Sequence, residues 1–370
     1  MDLVSLIGPA EWNEFRTAFE RRATVTHIAT DAPRRFQGLW ADWDLDASCR
    51  FTSVTRHPHF RALSRGKQVP VAAFTDRMGA FREEAFRQIR AAGASVAFSH
   101  FENFSNIALA LTRTLEAEFH LPVQINVYIT PGGNQGLGVH VDPHDVLILQ
   151  IQGQKDWDIY DAAGVKSEMT LQTGGWLFVP KGTRHEVRNR GVETSVHFTI
   201  GFHPLTWGEV FQRALQQARV DNPTLNERLI VGANLQATPD QVRERLGALL
   251  PFVDLAQCAA DYYRDFSQLS VAVPTSEAIT RQELERLTEA SRLRWSSGTE
   301  FARPVNGLPE LMRGYRRHPL QLAHDWAEPV AWMQRTGEFT PAQLPTANVA
   351  DAVLLCRFLA GLGVLEYAAP

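Results

Sequence analysis

The heptapeptide "VHVDPHD" (139–145) places His140, Asp142, His144 and Asp145 within seven positions of a 370-residue chain that holds only 12 histidines. Such a cluster could ligate a metal, brace a tight turn, or arise by chance. In an extended strand, side chains two residues apart share a face. The spacing therefore predicts that His140 and Asp142 converge on one ion, with Val139 and Val141 packing behind them. One imidazole and one carboxylate are two-thirds of a facial triad; a histidine brought close by the fold would complete it and leave coordination positions open, an arrangement suited to Fe(II). Pro143 interrupts the strand, so His144 and Asp145 are expected to hold the turn and the surroundings of the site and not the ion itself.

His-x-Asp alone is a weak signal, and His100-Phe101-Glu102 has a similar form. His100, however, precedes a helical stretch and has no histidine partner in a β context, so a structural role is expected for that pair. The third ligand is read from "GGWLFVPKGTRHEVRN" (174–189). Here a β-rich run ends in a Pro180-x-Gly182 turn, and the following strand opens by aiming His185 back toward the interior. The spacing Gly174-x5-Pro180-x-Gly182-x2-His185-x3-Asn189 matches the second cupin motif in full.

Elements able to position these groups follow from the local patterns. Residues 9–22, 79–93 and 103–120 carry apolar positions at helical spacing. From Leu121 the chain becomes β-rich: "VQINVYIT", "DVLILQIQG", "KDWDIYD", "GGWLFVP", "HEVRNR" and "TSVHFTIGF" are short strands separated by turn residues. Several short strands with no helix between them indicate a barrel or sandwich. After about 205 the pattern is helical again, over 206–219, 239–249, 253–266 and 281–292. Proline-containing stretches at 271–274 and 303–308 are plausible boundaries.

Composition sets outer limits. Hydrophobic residues make up 44% and charged residues 21% of the chain, as in an ordinary globular protein of two or three domains. A net charge of −4 gives no global reason to expect direct nucleic-acid binding; "RGYRRH" (313–318) is the strongest local basic run. Three widely spaced cysteines (Cys49, Cys258, Cys356) exclude a CxxC zinc site and suit a reducing compartment. The N-terminus has no basic region of a signal peptide, and no run is long enough to span a membrane, so a cytoplasmic location is expected.

The runs "NVYITPGGNQGLGVHVDPHDVLILQIQGQKDWDIY" (126–160), "GGWLFVPKGTRHEV" (174–187) and "SVHFTIG" (195–201) resemble the JmjC ribosomal oxygenases, within the cupin-fold Fe(II)/2-oxoglutarate-dependent dioxygenases. They are similar to that family's N-x-Y-x-T-P…H-x-D-x-H-D-V…G-x-K-x-W core, its P-x-G-x-x-H-x-V segment and its S-V-H-x-T-I strand. The N-terminal "FRTAFERRATV" is similar to the family's first helix but lacks its tryptophan and Lys-Pro. The resemblance implies an α+β chain: a double-stranded β-helix catalytic domain over 1–205 (core 120–202), a helical dimerisation region over 206–275 and a winged-helix-like domain over 276–370. It implies Fe(II) on His140, Asp142 and His185, with no further catalytic side chain. Lys155 would pair with the C5 carboxylate of the cosubstrate 2-oxoglutarate, Asn126 and Tyr128 would line the same pocket, and Ser195 and Thr199 would add to it. His197 would support the site together with His144 and Asp145. With O2 as the second cosubstrate, the expected reaction is hydroxylation of an Arg- or His-type side chain of a protein, first of all a ribosomal protein, by a homodimer. Two other readings remain: the same chemistry on a peptide natural-product precursor or an N-methylated lysine, and a non-catalytic cupin whose winged-helix-like end binds a partner or DNA.

Overall fold

A computed structural model describes all residues except 1–2, 29–30, 42, 53–59, 65–66, 78–80, 136–137, 227–237, 267–280, 297–298, 306–307, 313–319 and 369–370. The basic run 313–318 and the proline stretch 271–274 therefore lie outside the described residues. The chain divides into two compact units: Met1–Phe202 with Gln268–Pro370, and His203–Ser267.

Thirteen strands of the first unit position the site: β1 (Val25–His27), β2 (Phe60–Ser64), β3 (Lys67–Gln68), β4 (Ser95–Phe98), β5 (Val123–Thr130), β6 (Asn134–Gln135), β7 (His140–Val141), β8 (Asp145–Gln152), β9 (Gln154–Tyr160), β10 (Lys166–Gln172), β11 (Trp176–Val179), β12 (Arg184–Asn189) and β13 (Ser195–Phe202). They form an eight-stranded sheet in the order β1-β11-β8-β13-β5-β4-β2-β3 and a smaller sheet in the order β10-β9-β12-β6, with β7 also pairing with β12. The pairings are antiparallel throughout both sheets. The short-strand pattern predicts a barrel or sandwich, and the two sheets have the cupin-type, JmjC-like arrangement that the resemblance implies.

The hydrophobic alternation of each strand decides which side it covers. On β5, Val123, Ile125, Val127 and Ile129 belong to the main core. The alternate residues, Asn126, Tyr128 and Thr130, line a cavity between the sheets. The strand β8 is buried on both faces: Leu147, Leu149 and Ile151 join the main core, whereas Val146 and Ile148 join a second cluster. That cluster also takes Leu177 and Val179 from the large sheet and Trp157, Ile159, Leu171 and Val187 from the small one, so it is the apolar layer between the two sheets.

On its far side the large sheet is sealed by aromatic packing. Phe15 of the helix Leu3–Arg21 meets Phe178 and Trp176 edge-on at 5.7 and 6.1 Å, and Phe19 meets Phe202 at 5.0 Å. The helix Asn106–Phe119, capped by Ser105 accepting from the Ala108 amide, buries Leu111 and Leu115 in the same core. Within this unit the C-terminal segment carries a small antiparallel sheet of Glu338–Phe339, Leu293–Trp295 and Leu365–Tyr367. It is joined to the N-terminal part by Phe51 packing on Trp326 and Phe358, and by an Arg50–Asp351 ion pair. The second unit holds the helices Trp207–Asp221, Pro239–Gly247 and Leu255–Phe266, braced internally by Arg213–Asp265 at 2.9 Å.

Candidate metal centre

Cross-strand pairing brings the two histidines together. On the β7–β12 ladder His140 stands directly opposite His185, and their ring centroids are 4.3 Å apart. Each ring is oriented by a backbone carbonyl: the Nδ1 of His140 lies 2.8 Å from the Gly138 oxygen, and the Nδ1 of His185 lies 2.9 Å from the Thr183 oxygen. A carbonyl only accepts, so both Nδ1 atoms carry the proton and both Nε2 lone pairs are left to ligate. These Nε2 atoms flank the Asp142 carboxylate at 3.9 Å (His140) and 3.6 Å (His185).

The three residues form a group with metal-site spacing, their ligand atoms within 4.8 Å of one another. Two imidazoles and one carboxylate with ligand atoms this close together fit a divalent iron that keeps open positions. His144 is not in that group. It lines the same cavity, and burial lowers its pKa from the usual histidine value.

The turns that hold the group are braced as the proline and glycine positions suggest. Gly182 sits at φ +80°, a left-handed conformation that favours glycine, and its amide donates to the Asp142 carbonyl at 3.1 Å. Asp145 is buried; it accepts from the Lys181 amide at 2.7 Å and from both terminal nitrogens of Arg22 at 2.9 and 3.3 Å. It thus ties the Pro-x-Gly turn and the end of the first helix to the start of β8. Val139 and Val141 do not pack behind the ligands as expected: they are 51% and 55% exposed, because the outer face of the two-residue strand β7 is open to solvent.

The other end of the cavity holds Lys155, 1% exposed on β9. Its Nζ donates to the Thr130 Oγ1 at 2.7 Å, and burial pulls its pKa down to about 7. An ammonium at this depth has a strong demand for an anion. Thr130 escaped the sequence reading, although it completes the Asn126, Tyr128, Thr130 face at strand period two. It is itself held by the Asn189 Nδ2, which donates to its carbonyl at 3.0 Å.

Between the two ends lie Tyr128 and His197, cross-strand partners whose rings stack at 5.0 Å and 9°. Burial pushes the Tyr128 phenol up against the opposing pull of the neighbouring Arg61 guanidinium. Burial, assisted by the Lys155 charge, holds His197 well below the usual histidine range, so its imidazole is neutral. Asn126 accepts through its Oδ1 from the Gln124 side chain at 2.7 Å and the His100 amide at 3.3 Å, which leaves its amide nitrogen as the group to offer a ligand. Thr199 lines the cavity as well. Ser195 is placed differently: it is buried on β13 but is not among the lining residues, and its Oγ accepts from the Gln150 Nε2 at 2.8 Å. The decoy pair is structural. His100 contacts Glu102 at 3.2 Å, and the carboxylate of Glu102 accepts from the Ile125 amide at 3.0 Å.

Residues 99–210 match the family model of the JmjC domain. Two curated relatives agree with the resemblance to ribosomal oxygenases seen in the sequence. The bifunctional lysine-specific demethylase and histidyl-hydroxylase NO66 of Dictyostelium discoideum is 32% identical over 147 residues, covering 34% of this chain and 29% of that protein. Human ribosomal oxygenase 1 is 24% identical over 371 residues, covering 85% of this chain and 54% of that protein. The chain thus spans about half or less of the length of these relatives. Among solved structures, YcfD, a ribosomal oxygenase from Escherichia coli in complex with cobalt and 2-oxoglutarate, aligns at 14% identity and a TM-score of 0.41, covering 96% of this chain and 98% of that one. No helix among the described residues is long and apolar enough to cross a membrane.

Proposed function

We propose that this chain is an Fe(II)- and 2-oxoglutarate-dependent oxygenase that hydroxylates a protein side chain, of the Arg or His type, with a ribosomal protein as the first candidate substrate. One observation carries the reading: the His140/Asp142/His185 group and the buried Lys155 line one cavity. A metal group alone fits many activities. Paired with a buried cation at the far end, it fits a ligand that chelates at one end and carries a carboxylate at the other. Bound iron would couple the decarboxylation of 2-oxoglutarate by O2 to oxygen insertion into a C–H bond, giving succinate, CO2 and an alcohol.

The chain's own residues do the rest. His140, Asp142 and His185 hold the metal on one side and leave the other open to ligands. Lys155 and Thr130 receive the distal carboxylate, with Asn126, Tyr128 and Thr199 along the wall. His197 stays neutral and adds no second cation. The apolar layer of Val146, Ile148, Trp157 and Val187 keeps water from the reacting end.

Histidyl hydroxylation and lysine demethylation both appear in the name of the Dictyostelium relative, and both begin with oxygen insertion at a C–H bond. Demethylation of an N-methylated lysine is therefore the second reading. The test is succinate release from 2-oxoglutarate with Fe(II), followed by mass analysis of ribosomal-protein and methyl-lysine peptides. A gain of one oxygen atom on a ribosomal peptide supports the first reading, and loss of a methylene unit the second. No succinate above the metal-free control, with any peptide pool, sinks both.

We also propose that the helical unit mediates homodimerisation. On the helix Trp207–Asp221, Trp207, Phe211 and Leu215 follow one another at four-residue spacing and are exposed, Trp207 by 63%. An apolar stripe of this kind on a charged helix is the usual mark of an interface.

A further inference from the structure

The match to the JmjC domain begins at residue 99, yet the cavity wall does not. Two lining residues come from earlier strands: Leu63 on β2 and Ser95 on β4, direct partners across the β2–β4 ladder. Ser95 is 2% exposed, and its Oγ has no hydrogen-bond partner among the described residues. A buried hydroxyl left in that state is costly, so it marks a place where something else is meant to bind.

The strand register says where. Val96 pairs with Ile129, so continuing the antiparallel ladder by one residue sets Ser95 beside Thr130. The Thr130 hydroxyl already receives the Lys155 ammonium. The hydroxyl of Ser95 and the ammonium of Lys155 therefore approach the same end of the cavity from opposite sheets. Leu63, 5% exposed, stands next to Ser95 as an apolar stop.

We propose that Ser95 donates a hydrogen bond to the distal carboxylate of the dicarboxylate seated on Lys155, and that Leu63 limits the length of dicarboxylate the cavity accepts. This rests on the oxygenase reading above and adds to it two specificity-determining residues from strands outside the matched domain. A carboxylate oxygen has lone pairs for both donors at once, so Ser95 supplements Lys155 and does not compete with it.

Calorimetry on the full chain loaded with Mn(II) tests this with three acids: 2-oxoglutarate, pyruvate (no distal carboxylate) and 2-oxoadipate (one methylene longer). Ser95→Ala is expected to weaken 2-oxoglutarate about tenfold, the scale of one hydrogen bond to a charged group. Pyruvate and Mn(II) affinities should stay within about twofold, and Ser95→Thr, which keeps the hydroxyl, should restore most of the loss. Leu63→Ala should shift the preference toward 2-oxoadipate by about fivefold or more, with Leu63→Val used if the alanine variant fails to fold. Equal weakening of pyruvate and 2-oxoglutarate by Ser95→Ala would mean a general distortion and overturn the assignment. Unchanged 2-oxoglutarate binding would overturn the Ser95 role, and an unchanged acid preference the Leu63 role; both results leave the oxygenase reading standing. A wild-type protein that binds Mn(II) but no 2-oxoglutarate would end that reading and this one together.

Discussion

His140 and His144 are four residues apart and chemically identical, yet only one joins the metal-spaced group. The separation follows from backbone geometry: His140 sits on β7 opposite His185, whereas His144 comes after Pro143 and outside the strand. We expect His140→Ala to lose bound iron and turnover together, while His144→Ala keeps most of the iron; metal content after gel filtration separates the two. Equal iron loss in both would place His144 among the ligands. Lys155 carries a second prediction. Burial holds its pKa near 7, far below the usual 10.5. A bound carboxylate favours the charged lysine, so binding above pH 7 must take up a proton. Affinity for 2-oxoglutarate is then expected to fall as pH rises beyond about 7, by up to about tenfold per unit, with little change below it. A flat affinity from pH 7 to 9, by calorimetry in buffers of different ionisation enthalpy, would show that Lys155 is charged before the ligand arrives.

At the scale of elements, the site depends on one turn and one short ladder. The Pro180-x-Gly182 turn is attached to the ligand loop by Gly182 donating to Asp142, and to β8 by Asp145 accepting from Lys181. Asp145→Ala leaves that amide without its buried acceptor and frees Arg22. A loss of about 1–3 kcal/mol in denaturant unfolding is expected, with metal affinity falling in parallel because the turn that leads into β12 and His185 loses its tie to β8. Asp145→Asn, which still offers an acceptor oxygen, should recover part of both. Retention of full stability in Asp145→Ala would show that the turn holds without this tie.

At the scale of the whole molecule, the helical unit His203–Ser267 and the first unit, which holds the metal-spaced group, answer to different physics. The first unit gathers most of its large apolar side chains into two clusters on either side of the large sheet. The helical unit leaves Trp207, Phe211, Leu246 and Leu250 exposed. Phe211→Glu is expected to shift the chain from dimer to monomer by light scattering, with the unfolding midpoint of the first unit unchanged. A wild-type protein that is already monomeric at micromolar concentration would remove the case for dimerisation through this face.

The metal-spaced trio was legible in the amino-acid order because its determinants are local. Strand period two pairs His140 with Asp142, proline ends that period before His144, and the Pro-x-Gly turn reverses the chain ahead of His185. Lys155 was readable through its motif, and Thr130 lay in plain view at the end of the Asn126–Tyr128 face. Period two alone also grouped Ser195 with His197 and Thr199, but the cavity excludes Ser195, whose hydroxyl is taken by Gln150 on a neighbouring strand. It likewise hid Val139 and Val141, which face solvent because nothing among the described residues covers the outside of β7. Leu63 and Ser95 had no local signal at all. Their place at the cavity follows from the β2–β4–β5 ladder, which joins residues 29 to 38 positions apart, and the register of such long-range pairings is decided only when the sheet assembles. Ligand chemistry was written along single strands; the shape and depth of the pocket that selects the ligand came from pairing between them.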